Sequence, residues 1–182
     1  MTRAVLSIGS NLGDRLAHLR SVLDALGERV VAVSPVYTTA PWGGVDQDDY
    51  LNAVVVAEDP DFDDYAWLRL GQELEQAAGR VREIRWGART LDVDVVQCTD
   101  STDSTGAAIA RDTDPALILP HPQAHNRAFV LIPWLAVEPS AQLLVDGVDR
   151  PIAELLAGLD RSEKDGVVRT DLVLGEESAG SC

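Results

Sequence analysis

The chain has 182 residues, 46% of them apolar and 25% charged, an ordinary composition for one globular domain with a sizeable core. Its formal net charge of −15 argues against broad nucleic-acid or anionic-membrane binding, both of which want a basic surface. Cys98 and Cys182 make no disulfide framework or zinc pattern. With no signal-like or membrane-length apolar run, the expectation is a soluble cytoplasmic protein.

Residues 3–8 read as a buried strand, and Gly9 to Asp14 as a plain structural turn. Leu16, Leu19, Leu23 and Leu26 recur at helical spacing, which predicts an amphipathic helix over about 14–28. Val30 to Tyr37 is strand-like, with Pro35 marking an edge or bulge. A loop follows over 39–49, then a strand from Leu51 to Ala57 and a helix over 62–78 with Asp61 as its candidate cap. Thr90 to Gln97 is the fourth strand.

The order β-α-β-β-α-β predicts an α+β protein with a ferredoxin-like core, an antiparallel sheet with helices on one face. A C-terminal αβ extension comes next. Residues 99–114 read as a polar surface insertion and 116–119 as a short strand. Val130 to Val137 reads as a helix despite Pro133, Leu143 to Val148 as a strand and 151–158 as a short helix. Residues 1–174 are expected to form a single domain and 175–182 a disordered tail.

Chemistry concentrates at 80–95. Arg80, Arg82, Arg85 and Arg89 precede Asp92 and Asp94, which alternate with Leu91, Val93 and Val95. On a strand, period two puts both carboxylates on one face and the apolar set on the other. Arginine matches phosphate oxygens bidentately, and Mg²⁺ takes one or two carboxylates together with water and substrate phosphates. The pair therefore suits a magnesium–polyphosphate site. A solvated strand face and a solvated loop are the bland alternatives for each half, and their coincidence in an acidic chain favours function. His121, held between Pro120 and Pro122, is suited to a phosphate contact or a proton shuttle, although alone a loop histidine without a role is the commoner case. Trp42, Tyr50, Asn52 and Trp86 lie in or beside loops and offer the stacking faces and fixed hydrogen bonds that a flat heterocycle needs. The residues themselves leave open diphosphate transfer, nucleotidyl transfer at the α-phosphorus, and a non-catalytic nucleotide-binding module.

Several segments together resemble the 6-hydroxymethyl-7,8-dihydropterin pyrophosphokinase family. They are Ile8-Gly9-Ser10-Asn11-Leu12-Gly13, Tyr37 to Gly43, Asp49-Tyr50-Leu51-Asn52-Ala53, Gly79-Arg80, Arg85 to Asp94, Pro120-His121-Pro122 and Asn126 to Phe129. The resemblance implies transfer of the β,γ-diphosphate of ATP to the pterin hydroxymethyl group, AMP release, two Mg²⁺ ions and a monomer acting on small molecules, with no nucleic-acid or membrane partner. It implies that Asp92 and Asp94 hold the metals. Tyr50 and Phe129 would sandwich the pterin, and Asn52 would bond its edge, aided by Thr39 and Trp42. Gln72, Glu75, Arg89, His121 and Arg127 would line the ATP site. Arg80 and Arg82 would act from a closing loop sealed by Trp86. Departures from the family pattern are Ala40 and Ala88, where proline is common, and Ala116-Leu117-Ile118, which lacks an arginine and a threonine found in some members.

Overall fold

Alternation along the first strand sets the architecture. The computed structural model describes residues 1–41, 47–79, 88–100 and 106–175. In β1 (Thr2–Ser10), Ala4, Leu6 and Ile8 enter one buried cluster while Val5 enters another. The sheet is thus covered on both faces at this strand, as period two requires of a strand with two apolar sets.

The first face is closed by two capped helices. α1 (Arg15–Leu26) starts at Asp14, whose carboxylate accepts the Ala17 N–H at 3.1 Å. It buries Leu19, Val22 and Leu26. α2 (Asp64–Ala77) is capped by Asp63, which accepts the Ala66 N–H at 2.7 Å. The expected cap, Asp61, instead gives its backbone N–H to the Asp59 carboxylate. Trp67, Gly71 and Glu75 lie four residues apart on the buried side of α2. Gly71 lets the helix approach β5 (Asp92–Asp100) closely, since a Cβ there would stand 3.1 Å from Val93 Cγ1. Trp67 is fully buried and donates its indole N–H to the Thr2 hydroxyl at 2.8 Å, so its truncation to alanine should cost about 3–5 kcal/mol.

The main sheet runs β5, β1, β4 (Tyr50–Asp59), β3 (Tyr37–Thr39), β8 (Val168–Arg169), and every pairing is antiparallel. β4 also pairs with β2 (Val30–Val33). The single strand expected over Val30 to Tyr37 is therefore two, because Pro35 interrupts it before β3. Gly9 and Ser10 are not in a turn. They extend β1, opposite Asn52 and Leu51.

The second face is covered by the C-terminal part of the chain, so helices lie on both faces rather than one. α3 (Ala128–Val137) and α4 (Ile152–Ala157) pack Val130, Leu131, Trp134 and Ile152 against Val5, Val54, Val56 and Val96. The strand expected over Leu143 to Val148 is a hairpin, β6 (Gln142–Val145) and β7 (Val148–Pro151), turning at Asp146-Gly147 where both φ angles are positive. Residues 116–119 form no strand and make only an isolated bridge from Leu119 to Arg111. Two further elements carried no sequence signal, α5 (Arg161–Asp165) and β8 (Val168–Arg169). The expected tail lies outside the described residues from 176 onward, whereas Leu174 is buried in the first core. No described helix is long and apolar enough to cross a membrane.

Candidate active site

The second face of the sheet changes character along its strands. It begins apolar, with Val5 on β1, Val54 and Val56 on β4 and Val96 on β5. Further along, β1 places Ser7 and Gly9, β4 places Asn52 and Tyr50, and β5 places Asp94 and Asp92. The register sets Gly9 between Asn52 and Asp92, and Ser7 between Val54 and Asp94. Small and polar side chains replace valines there, and a cavity of about 510 Å³ opens over them. Gln123, Asn126, Arg127 and Phe129 wall it from the start of α3, Thr39, Ala40 and Pro41 from the end of β3, and Gln47, Arg89 and Glu163 complete the lining.

The charges are arranged in pairs. Arg89 Nη1 lies 2.7 Å from Asp92 Oδ2, and Arg127 Nη1 lies 3.6 Å from Asp94 Oδ2. Burial and the neighbouring Asp92 charge push the Asp94 carboxyl up to about 7, against the pull of Arg127 and Arg89. Two carboxylates facing one cavity, one of them reluctant to ionise, form an arrangement that a cation relieves. Among the described residues no group of three or more His, Cys, Asp or Glu side chains assembles a protein-only metal cage. Two carboxylates beside arginines fit Mg²⁺, which takes its remaining ligands from water and phosphates.

Away from the aspartates the cavity presents an amide and aromatic rings. Asn52 is buried and donates to the Thr39 hydroxyl at 2.6 Å. Gly9 makes room for it, since a Cβ at that position would come within 2.9 Å of Asn52 Oδ1. Tyr50 and Phe129 supply aromatic surface from β4 and α3, and the Arg127 guanidinium sits 5.5 Å from the Phe129 ring centroid.

Asn11 ties the cavity rim together. Fully buried, it accepts the Arg89 N–H at 2.7 Å and donates to Gln47 Oε1 at 3.0 Å and to the Asp48 carbonyl at 3.3 Å. Its backbone N–H also donates to the Arg89 carbonyl at 3.0 Å.

Of the residues singled out from the sequence, Thr39, Tyr50, Asn52, Arg89, Asp92, Asp94, Arg127 and Phe129 converge on this cavity. Trp42, Arg80, Arg82 and Trp86 lie outside the described residues. Three others are not in its lining. Gln72 is exposed on α2, and Glu75 is buried, accepting the Val93 N–H at 2.9 Å. His121 follows Pro120 and donates its backbone N–H to the Val96 carbonyl at 2.7 Å. Burial and the Arg127 charge push its imidazole down to about 4. Its Nδ1 accepts the Gln123 N–H at 3.2 Å, so a neutral ring carries its proton on Nε2. Sequence reasoning assigned no role to Ser7, Asn11, Gln123, Asn126 or Glu163. The loss of valines along Val5-Ser7-Gly9 is the signal that marks Ser7 as floor.

A family model described as 7,8-dihydro-6-hydroxymethylpterin-pyrophosphokinase (HPPK) matches residues 5–139. Curated relatives named 2-amino-4-hydroxy-6-hydroxymethyldihydropteridine pyrophosphokinase include one from Mycobacterium leprae, 57% identical over 96% of this chain and 92% of the relative. One from Mycobacterium tuberculosis is 56% identical over 92% and 89%, and one from Methylorubrum extorquens 42% over 89% and 96%. Among solved structures, a substituted Plasmodium falciparum HPPK-DHPS with pterin and p-hydrobenzoate aligns with a TM-score of 0.61 at 13% identity, covering 92% of this chain. The wild-type HPPK-DHPS with SDX-DHP aligns at 0.56 and 15%, covering 86%. This chain spans 47% and 43% of those two proteins, and the likeness is one of fold. With a family model over most of its length and relatives above half identity, the chain belongs to the 7,8-dihydro-6-hydroxymethylpterin-pyrophosphokinase family.

Proposed function

We propose that the cavity over β1, β4 and β5 is where this chain carries out its family's reaction, transfer of diphosphate from ATP to 6-hydroxymethyl-7,8-dihydropterin in folate biosynthesis. The observation that carries the reading is the meeting, in one cavity, of Asp92 and Asp94 with Arg89 and Arg127 on one side and Asn52 with Phe129 on the other. Phosphates and a neutral heterocycle need those two kinds of surface side by side.

The ring is taken between Tyr50 and Phe129, with Asn52 bonding its edge and Thr39 fixing the amide. Arg89 and Arg127 face the phosphate oxygens. Asp92 and Asp94 are the residues that would hold two Mg²⁺ ions. When bound, Mg²⁺ supplies positive charge that neutralises the polyphosphate. The hydroxymethyl oxygen attacks the β-phosphorus in line and AMP departs, so catalysis rests on positioning and charge stabilisation. Arg80, Arg82 and Trp86 belong to this reading as a closing segment. Gln72, Glu75 and His121 serve it from the nucleotide side, and Trp42 from the pterin side.

The strand order β5-β1-β4 followed by β2 and β3 supports a ferredoxin-like core, and the pairing of β8 with β3 supports one domain over 1–174. The net charge of −15 argues against nucleic-acid and anionic-membrane partners, and the chain is read as a monomeric cytoplasmic enzyme.

Incubation with Mg-ATP and the hydroxymethyl dihydropterin should release AMP. Release of pyrophosphate instead would mean attack at the α-phosphorus, and binding without turnover would mean a sensor. Asp92→Ala and Asp94→Ala should each slow magnesium-dependent turnover by roughly 10²–10⁴-fold. Full activity in either variant removes that residue from the metal site.

A further inference from the structure

We propose that Glu163 selects the heterocyclic substrate by accepting a hydrogen bond from the N–H groups of its aminopyrimidine edge. The inference rests on the diphosphate-transfer reading above and extends it to a residue beyond the 5–139 segment matched by the family model.

Glu163 belongs to α5, yet it is one of the residues that line the cavity, as are Thr39, Pro41 and Phe129. The residues just C-terminal to it fix its place there. Val168 and Arg169 pair with Thr38 and Tyr37, and the Thr170 N–H donates to the Val36 carbonyl at 2.9 Å. The C-terminal segment is thereby sewn to β3 at the point where β3 runs out into the cavity wall.

The other two carboxylates of the cavity, Asp92 and Asp94, each face a guanidinium. Among the described residues the Glu163 carboxylate has neither a hydrogen bond nor an ion pair. Its charged neighbours are engaged elsewhere: Arg161 with Asp165 at 3.3 Å, and Lys164 Nζ with the Ala157 carbonyl at 3.5 Å. An ionised carboxylate only accepts hydrogen bonds, and it repels phosphate. A ligand group beside Glu163 must therefore bear N–H or O–H donors and no negative charge. The 2-amino group and lactam N–H of a pterin meet both conditions, while the phosphates meet them nowhere. Glu163 thus also orients the two substrates, leaving Arg89 and Arg127 to the nucleotide.

The test compares dissociation constants of 6-hydroxymethylpterin and its 2-desamino analogue, each with a non-hydrolysable Mg-ATP analogue present. The parent protein should prefer the pterin, and Glu163→Ala should cut that preference roughly ten-fold, the scale of one charge-assisted hydrogen bond. Glu163→Gln, which keeps an acceptor oxygen, should recover part of it, and affinity for the nucleotide analogue should change little in both. An identical preference in all three proteins overturns the role of Glu163. A parent protein that binds neither pteridine overturns the cavity assignment instead.

Discussion

Asn11 and Arg89 hold one another through two hydrogen bonds of opposite sense, the Asn11 Oδ1 accepting the Arg89 N–H and the Arg89 carbonyl accepting the Asn11 N–H. This fixes the backbone from which the Arg89 guanidinium reaches Asp92. Asn11→Ala leaves the half-buried Arg89 N–H without its acceptor, so stability should fall by about 1–3 kcal/mol in urea unfolding. Turnover should fall further than that loss explains, because Arg89 loses its anchor. If the folded fraction alone accounts for the lost activity, Asn11 is only scaffolding.

Gly9→Ala puts a methyl group within 2.9 Å of Asn52 Oδ1. Asn52 must rotate away, breaking its bond to Thr39. The expected result is a pterin KM raised with the ATP KM nearly unchanged, and an overpacking cost of about 1–3 kcal/mol. Equal changes in both KM values would mean that the strand as a whole has moved.

Phe129→Ala should weaken pterin binding, stacking on one aromatic face being worth roughly 0.5–1.5 kcal/mol beyond burial. Mg-ATP binding should suffer less. Separate calorimetric titrations of the two ligands decide it, and parallel losses would assign Phe129 to the second core, against which it also packs.

Asp94 and His121 should tilt the stability of the metal-free protein in opposite directions with pH. The Asp94 carboxyl is raised from 3.8 to about 7, so its contribution is fully present below the unfolded value and is lost as pH rises through about 7. His121 is lowered from 6.5 to about 4, so its contribution is present above the unfolded value and is lost as pH falls through about 4. Asp94→Asn should therefore unfold at higher urea than the parent at about pH 8, with the advantage gone at about pH 4. His121→Gln should lose less stability on acidification than the parent. An Asp94→Asn advantage independent of pH would show that burial does not hold up that carboxyl.

The sequence made the central part of the site legible because it is local. Asp92 and Asp94 alternate with Leu91, Val93 and Val95, and one strand is enough to set both carboxylates on one face. The bulge on β5 was not legible. There Val96 is the extra residue opposite the Val5/Leu6 step, so that Gln97 stays on the face of Val96 and bonds Gln142 and Leu144, while Cys98 in place of Gln97 returns to the first core. Nothing in a run of valines announces that change of face. Glu75 shows a second limit. Helical spacing puts it on the inner side of α2, but only the tertiary placement of β5 brings the Val93 N–H to its carboxylate. The insertion is held down by contacts equally distant in sequence, with Arg111 bound to buried Asp64 at 2.7 Å and stacked on Tyr65, whose hydroxyl donates to Asp114 at 2.6 Å. Glu163 and β8 owe their positions to pairing with a strand made near the start of the chain, which no local pattern encodes.

That last pairing orders events during synthesis. Thr38 leaves the ribosome early and waits for Val168, its partner across the sheet edge. Until then the outer backbone groups of β3 are an unpaired edge, open to pairing with another chain. A nascent chain stalled before residue 168 should be prone to self-association and poor at retaining pterin, even with every residue of the carboxylate–arginine cluster already made. Adding a synthetic peptide that spans β8 to such a truncated chain should reduce its light scattering; a peptide without effect would mean that the edge is guarded by something else.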